Sequence, residues 1–312
     1  MLARVADSLY WIGRYTERAE HVSRLSTVML NATLESTVSA VQTGRIGLAA
    51  LGERDEGRAN QTYEAAHDLA LDRADAGSVL VSLARARENA RQVRDQITTE
   101  TWEQLNLLYL RVTAPTAEEA FDDDPSGFLQ RIIADLHLFK GAADTTLSHG
   151  EGWRFLLLGV YIERAQLIAR LLEVCFSQGK TPAVTEPVAL MSVLRMACAL
   201  EPYLRVYTAD INPRFILEFL LFDEEFPRSI RFCAARLEDC LTQLTRETGV
   251  ARSDALRLAG RLDARLKYAD IAEVEASGAG ALLAEVGREC SAIHEAVYST
   301  FVTYPLELSL PA

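Results

Sequence analysis

Two glutamate–arginine pairs, Glu17-Arg18 and Glu163-Arg164, each complete the string Gly-x-Tyr-x-Glu-Arg-Ala within otherwise apolar stretches. These residue types allow two kinds of chemistry. An arginine fork clamps a carboxylate or phosphate bidentately, and a glutamate in apolar surroundings can serve in proton transfer. On a helix over Leu9–Met29, the residues Trp11, Tyr15, Arg18, Val22, Leu25 and Met29 share one stripe, with Arg18 as its only charge. Leu157, Tyr161, Arg164, Ile168, Leu171 and Cys175 repeat that stripe, again with one charge. The neighbouring stripes carry Glu17 with Arg24, and Glu163 with Arg170. Unpaired buried charge is costly. Residues adjacent in sequence point about 100° apart on a helix and pair poorly. Glu17 is therefore expected to meet Arg164, and Arg18 to meet Glu163, across an interface between the two copies. Either a charge network of Glu17, Arg18, Glu163, Arg164, Arg24 and Arg170 docks the copies, or some of its members face a cavity and bind a polar ligand.

A second polar set, Glu88, Arg91, Asp95, Trp102 and Asn106, continues a stripe with helical spacing from Ala84. It reads as a solvated, salt-bridged face or as a docking face. No metal site is expected. A carboxylate-bridged di-metal bundle needs two Glu-x-x-His pairs, and only Glu64–His67 has that spacing. The phosphate-binding glycine motifs and the nucleophile elbow do not occur, so no cofactor and no catalytic residue is assigned. Asp122-Asp123-Asp124 reads as a solvated loop, and Gly152–Phe155 as a short aromatic helix that seats the second motif.

The elements that must hold these residues are helices. No proline precedes Pro115, and apolar residues recur at three- and four-residue intervals with no alternating run. That pattern predicts an all-α multi-helix bundle. Breaks are expected at Gln42–Gly57, Ala114–Gly127, Ser148–Gly152, Ser177–Pro187, Asn212-Pro213 and Phe226-Pro227. A last long helix should follow Gly278 and Gly280 and end before Pro305. The strongest organisational signal is internal duplication. Leu9–Leu25 and Phe155–Leu171 share seven identities in seventeen ungapped positions. In the same order, Asp68–Ala90 aligns with Phe219–Leu241 through Leu69/Leu220, Asp72/Asp223, Ser78/Ser229, Ala84/Ala235 and Arg85/Arg236. The expectation is a single domain over residues 1–312, with two pseudo-repeated halves (about 1–125 and 150–312) related by a pseudo-twofold axis.

With 49% hydrophobic residues among 312, the chain can bury a large core. Its net charge of −12 repels phosphate backbones and anionic lipid, so neither nucleic acid nor a membrane is an expected partner. The longest apolar run, Phe155–Ile162, falls far short of the about 20 residues that a membrane span needs. Lys140, Lys180 and Lys267 are the only lysines beside many arginines. Five cysteines without a C-x-x-C pair read as buried free thiols in a reducing compartment. The N-terminus lacks an apolar signal core. A cytoplasmic location is the expectation.

The opening, Met-Leu-x-Arg-x-Ala-x-x-Leu-Tyr-Trp-x-x-Arg-Tyr-x-Glu-Arg-Ala, resembles the bacterial alpha-E family of α-helical domains with a Glu-Arg motif. The resemblance continues through Ala86–Asn106 and Gly152–Ala165 and spans nearly the whole chain. Gly77 departs from it, at a place where a proline-containing turn is expected before Ser78. The resemblance implies a helical protein encoded beside, or fused to, circularly permuted ATP-grasp proteins, often in the company of transglutaminase-like proteins. It therefore implies a part in ATP-dependent amide or peptide-bond formation. Three functions follow as expectations. The first is an accessory or partner subunit of an ATP-grasp-type ligase, non-catalytic or co-catalytic. The second is a structural homodimer or scaffold held by Glu-Arg networks. The third is a stand-alone enzyme with a Glu/Arg-lined pocket.

Overall fold

The computed structural model describes residues 1–53, 56–176, 184–208, 210–249 and 253–303, and these hold fifteen α-helices and no strand. Helix α1 (Ala3–Glu35) ends where Ser36 turns extended; the Ser36 hydroxyl accepts from the Ser39 amide and starts α2 (Thr37–Ala50). A 3-10 turn over Glu56–Asn60 leads into α3 (Thr62–Leu71). Ser78 caps α4 (Val79–Gln92), and Thr98 caps α5 (Thr99–Val112). The short α6 (Ala117–Asp123) runs into α7 (Pro125–Thr146), which starts with an Asp124 cap and a proline whose missing N–H costs nothing there. Helix α8 (Glu151–Phe176) carries the second motif. After it come α9 (Pro187–Met196), α10 (Leu200–Tyr207) and α11 (Pro213–Phe222). Ser229 caps α12 (Ile230–Thr248), Ser253 caps α13 (Asp254–Tyr268) and Asp270 caps α14 (Ile271–Ser277). The last, α15 (Ala279–Val297), passes into a π-helical turn over Tyr298–Val302.

Several boundaries differ from those expected. The first break falls at Ser36, and α2 continues through Gly44 and Gly47, inside the stretch read as a loop. Both glycines sit at close approaches: a Cβ on Gly47 would lie 2.6 Å from the Met29 sulfur, and one on Gly44 3.1 Å from the Ala59 carbonyl oxygen. Ala114–Gly127 encloses α6. Gly152–Phe155 belongs to the first turns of α8. The Asp122–Asp124 run is exposed, as expected, but Asp122 and Asp123 end α6 instead of forming a loop; Asp124 accepts from the Gly127 amide at 2.9 Å, and Asp122 from the Tyr63 hydroxyl. Most of Ser177–Pro187 lies outside the described residues, as does Pro305.

Helices α1 and α8 lie side by side at the centre and run in the same direction. The Met1 amino group meets Glu151 at 2.9 Å, and further along Gly13 sits against Leu156 and Val160 while Gly159 sits against Tyr10 and Arg14. The approach is reciprocal. A Cβ on Gly13 would lie 2.1 Å from the Leu156 carbonyl oxygen, and one on Gly159 would lie 2.0 Å from that of Tyr10. Only glycine allows the two backbones this close. Helices α2, α3, α4 and α7 surround α1; α12 and α15 pack on α8, with α13 across both. Buried residues from Val5 to Val297 form one core. Local geometry also recurs. The capping serines reach back to matching carbonyls, Ser78 to Asp72 at 2.7 Å and Ser229 to Asp223. No helix among the described residues is long and apolar enough to cross a membrane. All five cysteines are free, and four of them are buried.

Candidate functional site

The glycine crossing sets the motif residues of α1 and α8 against one another one turn later. Glu17 is fully buried and accepts from Arg164 Nε at 2.7 Å and Nη2 at 2.8 Å. Lys140 of α7 donates to it at 2.6 Å, and Arg228, from the turn before α12, at 3.3 Å. One turn on, the fully buried Glu20 takes Arg24 at 2.8 Å and His137 at 3.2 Å, and also Lys140 and Arg228. Two carboxylates thus meet four permanent cations from four segments of the chain.

The second cluster lies on the other side of the crossing. Glu163 is buried and accepts from Arg14 Nε at 2.6 Å and Arg18 Nε at 2.7 Å. Arg14 also donates to the Gln166 side-chain oxygen at 2.8 Å and to the Tyr10 hydroxyl at 3.3 Å, and it lies over the Trp11 ring, 5.3 Å from its centroid. Tyr10 in turn meets His294 Nδ1 at 2.7 Å, which ties the cluster to α15.

Charge states follow from this geometry. Burial alone would push the Glu17 and Glu20 carboxyls up, but Lys140 and Arg228, with Arg164 at Glu17, outweigh it and hold both far below the usual range. Glu163 is likewise lowered, its burial outweighed by Arg14 and Arg18. Burial would lower Arg164, and Glu17 reverses this. His21 is fully buried beside the first cluster; burial, aided by Arg228, pushes it down to about 4. Its Nε2 has no hydrogen-bond partner among the described residues. Near neutral pH the three carboxylates are ionised and His21 is neutral. None is poised to exchange a proton near neutrality, as a general acid or base must.

Both cross-pairs expected from the spacing are present: Glu17 with Arg164, and Arg18 with Glu163. Arg24 joins through Glu20. Arg170 does not join; it is exposed, with no ion pair among the described residues. Position explains this, because its α1 counterpart Arg24 pairs with a glutamate four residues earlier, whereas Arg170 has Gln166 there. Sequence reasoning missed Glu20, Lys140, Arg228 and His137, and did not place Arg14 in the network. Arg14 and Glu20 lie three residues either side of Glu17, a spacing that marks a shared face. Lys140 and Arg228 carry no local signal.

The second polar set is not one stripe. The chain leaves α4 after Gln92 and restarts at Thr99, so Glu88 and Arg91 are an exposed pair at 2.6 Å and Asp95 lies in the connecting turn. Trp102 lies under the Arg87 and Arg94 guanidinium groups, at 5.6 and 4.9 Å, and Asn106 accepts from Arg87 at 3.0 Å. No group of three or more histidine, cysteine or acidic side chains able to hold a metal occurs among the described residues.

Clefts flank both clusters. One of 510 Å³ opens between α7, α8 and α12, with Trp153, Leu157, Tyr161 and Phe232 as apolar wall and Lys140 and Arg164 at the charged side. One of 280 Å³ opens beside Glu163, bounded by Arg14, Arg18, Asp75, Gly77, Gln166 and Arg170.

Fold and site together define an all-α protein whose two central helices are tied by reciprocal Glu-Arg pairs. The chain belongs to the Alpha-E family, "a predicted alpha-helical domain with a conserved ER motif", which matches residues 1–302. It is similar to a protein of Mycobacterium bovis and to one from each of two Mycobacterium tuberculosis strains, all three named as uncharacterized. Each is 26% identical over 339 aligned positions, covering 99% of this chain. The chain spans 37% of the length of these relatives. No solved structure gives a significant match.

Proposed function

We propose that the chain is the helical partner, non-catalytic or co-catalytic, of an ATP-grasp-type enzyme that forms amide or peptide bonds. The observation that carries this reading is the state of the motif. Its carboxylates are buried, saturated with cations and held ionised, which suits a rigid frame and not proton transfer. A frame acts through what it holds. In the mycobacterial relatives a matching segment makes up 37% of a longer chain, which fits a module that works joined to another.

A surface for such a partner lies on α5 and α7. The two helices run antiparallel, pinned by Arg111–Asp135 and by a 2.6 Å bond between Thr98 and Thr146, so Leu107 and Leu138 stand at the same level. With Leu110 they are 54, 54 and 51% exposed. Apolar side chains left together on a surface mark an interaction site. The net charge of −12 argues against nucleic acid, and free buried thiols favour the cytoplasm. We also infer that the halves descend from one unit, with a pseudo-twofold axis between α1 and α8. The reciprocal glycine contacts, crossed Glu-Arg pairs and matching serine caps support this.

The test is co-expression with the circularly permuted ATP-grasp protein of the same genome. The two should co-elute, and ATP consumption with amino-acid acceptors should require both. Leu107→Glu with Leu138→Glu should abolish co-elution and leave thermal melting unchanged. Should the chain elute as a homodimer closed by this same face, with the ATP-grasp protein fully active alone, the scaffold reading replaces this one.

A further inference from the structure

The two charge clusters differ at matching positions. Aligned on the motif, Glu20 corresponds to Gln166 and Arg24 to Arg170; aligned on the capping serines, Arg228 corresponds to Gly77. Around Glu17 these positions are filled and mutually paired: Glu20 accepts from both Arg228 and Arg24. Around Glu163 the carboxylate has become a neutral amide and the inserted arginine a glycine. The 280 Å³ cleft is bounded by those replacement residues, Gln166 and Gly77. Two groups that complete the first cluster, one anionic and one cationic, are therefore lacking from the second.

What remains around the cleft complements both. Arg170 has no acid partner among the described residues, and Arg18 bonds Glu163 through Nε only, leaving its terminal nitrogens for another acceptor. Gln166 spends its oxygen on Arg14 and its nitrogen on Ser291, at 3.3 Å, and adds no charge. Asp75, on the turn that carries Gly77, supplies a carboxylate on the same cleft.

We propose that this cleft binds an α-amino acid, with its carboxylate on Arg18 and Arg170 in the role Glu20 has in the other cluster. Its ammonium group lies toward Asp75, on the turn where Gly77 stands in place of Arg228. Arginine forks favour a planar carboxylate. The Asp75 carboxylate on the same cleft answers a cation and repels a purely anionic ligand such as phosphate. The site belongs to this chain alone and does not depend on the ATP-grasp partnership.

The test is isothermal titration of the full chain with each common α-amino acid, its N-acetyl and amide derivatives, and inorganic phosphate. At least one amino acid should bind one to one, and blocking either end should weaken it by about tenfold or more. Gly77→Arg installs the counterpart of Arg228, at a position where an added Cβ comes no closer than 3.3 Å to its nearest neighbour, the Asp75 carboxylate. Arg170→Ala removes an exposed, unpaired side chain. Each should lower affinity by about tenfold or more while the ligand-free protein melts as before. The proposal is overturned if no amino acid binds, if phosphate binds as tightly as the best amino acid, or if both variants bind as the parent does.

Discussion

Arg164 closes on Glu17 with two parallel bonds, Nε to Oε1 at 2.7 Å and Nη2 to Oε2 at 2.8 Å. Its counterpart Arg18 reaches Glu163 through Nε alone, and Arg14 supplies the second contact at 2.6 Å. Each motif glutamate thus receives two guanidinium bonds from the facing helix. Paired forks of this kind fix orientation as well as adding energy. This geometry suits a register lock for α1 against α8, set just beyond the point where two glycines let the backbones touch.

That close approach makes opposite predictions for two glycines in helix interiors. Alanine is about 1 kcal/mol better than glycine in a helix. At Gly141 a Cβ meets nothing within 4 Å, so Gly141→Ala should raise stability by up to about that amount. At Gly13 the Cβ would lie 2.1 Å from a backbone oxygen, which cannot swing aside as a side chain can. Overpacking typically costs about 1–3 kcal/mol, so Gly13→Ala should lower stability despite the better propensity. Urea melts of both variants read the two signs; a stabilised Gly13→Ala would show that the helices are not in contact there.

His21 supplies a pH window. Its folded-state value, about 4, lies below the ordinary 6.5, so between these values the unfolded chain binds a proton that the folded protein does not. Stability from this residue is complete above about 6.5 and is lost as pH falls toward 4, by about 3 kcal/mol in all. Leu167 occupies the corresponding place on α8. In His21→Leu the loss between pH 6.5 and 4 should be smaller by about that amount than in the parent. Below about 4.5 both proteins should still weaken, because the unfolded chain then protonates Glu17, Glu20 and Glu163 while the folded protein, which holds all three below the usual carboxylate range, does not. Denaturant melts across that range check it, and parallel pH profiles for the two proteins would refute a buried neutral His21.

The motif was legible in the chain because helical periodicity put a lone charge on an apolar stripe twice over, which left Arg18 and Arg164 few partners but each other's neighbouring acid. The helix start at Pro213 was legible for the reason proline suits a first turn, whereas α7 starts at Pro125, inside the stretch read as a break, and α9 at Pro187, the last residue of another. The break between α4 and α5 was not, since residues 93–98 hold neither glycine nor proline. Its one signal is Thr98, whose hydroxyl caps the Thr101 amide at 3.3 Å. Lys140 and Arg228 reach Glu17 and Glu20 from remote segments, so only tertiary packing reveals them. Arg170 was misplaced for a related reason: helical phase gives a residue's side of the helix but not whether an acid waits there.

The missing acid can be supplied. Gln166→Glu puts a carboxylate where Arg14 already donates at 2.8 Å and gives Arg170 an acid four residues earlier, as Glu20 does for Arg24. A hydrogen bond made charge-assisted gains about 1 kcal/mol. The melting temperature at neutral pH should rise, and the gain should vanish below the carboxylate range. A fall in melting temperature at neutral pH would show that the second cluster does not carry excess positive charge.

The central claim, that the Glu-Arg motif is a lock between α1 and α8, is tested most directly by a double-mutant cycle on Glu17 and Arg164. Removing one partner of a buried pair typically costs about 3–5 kcal/mol, because the other charge stays buried. Lys140 and Arg228 still bond Glu17 when Arg164 is gone, which places Arg164→Ala toward the lower end. Urea melts of Glu17→Ala, Arg164→Ala and the double variant should give a double cost well below the sum of the singles, with a coupling of about 1–3 kcal/mol. Costs that add to within about 0.3–0.5 kcal/mol, as for independent sites, would contradict the lock.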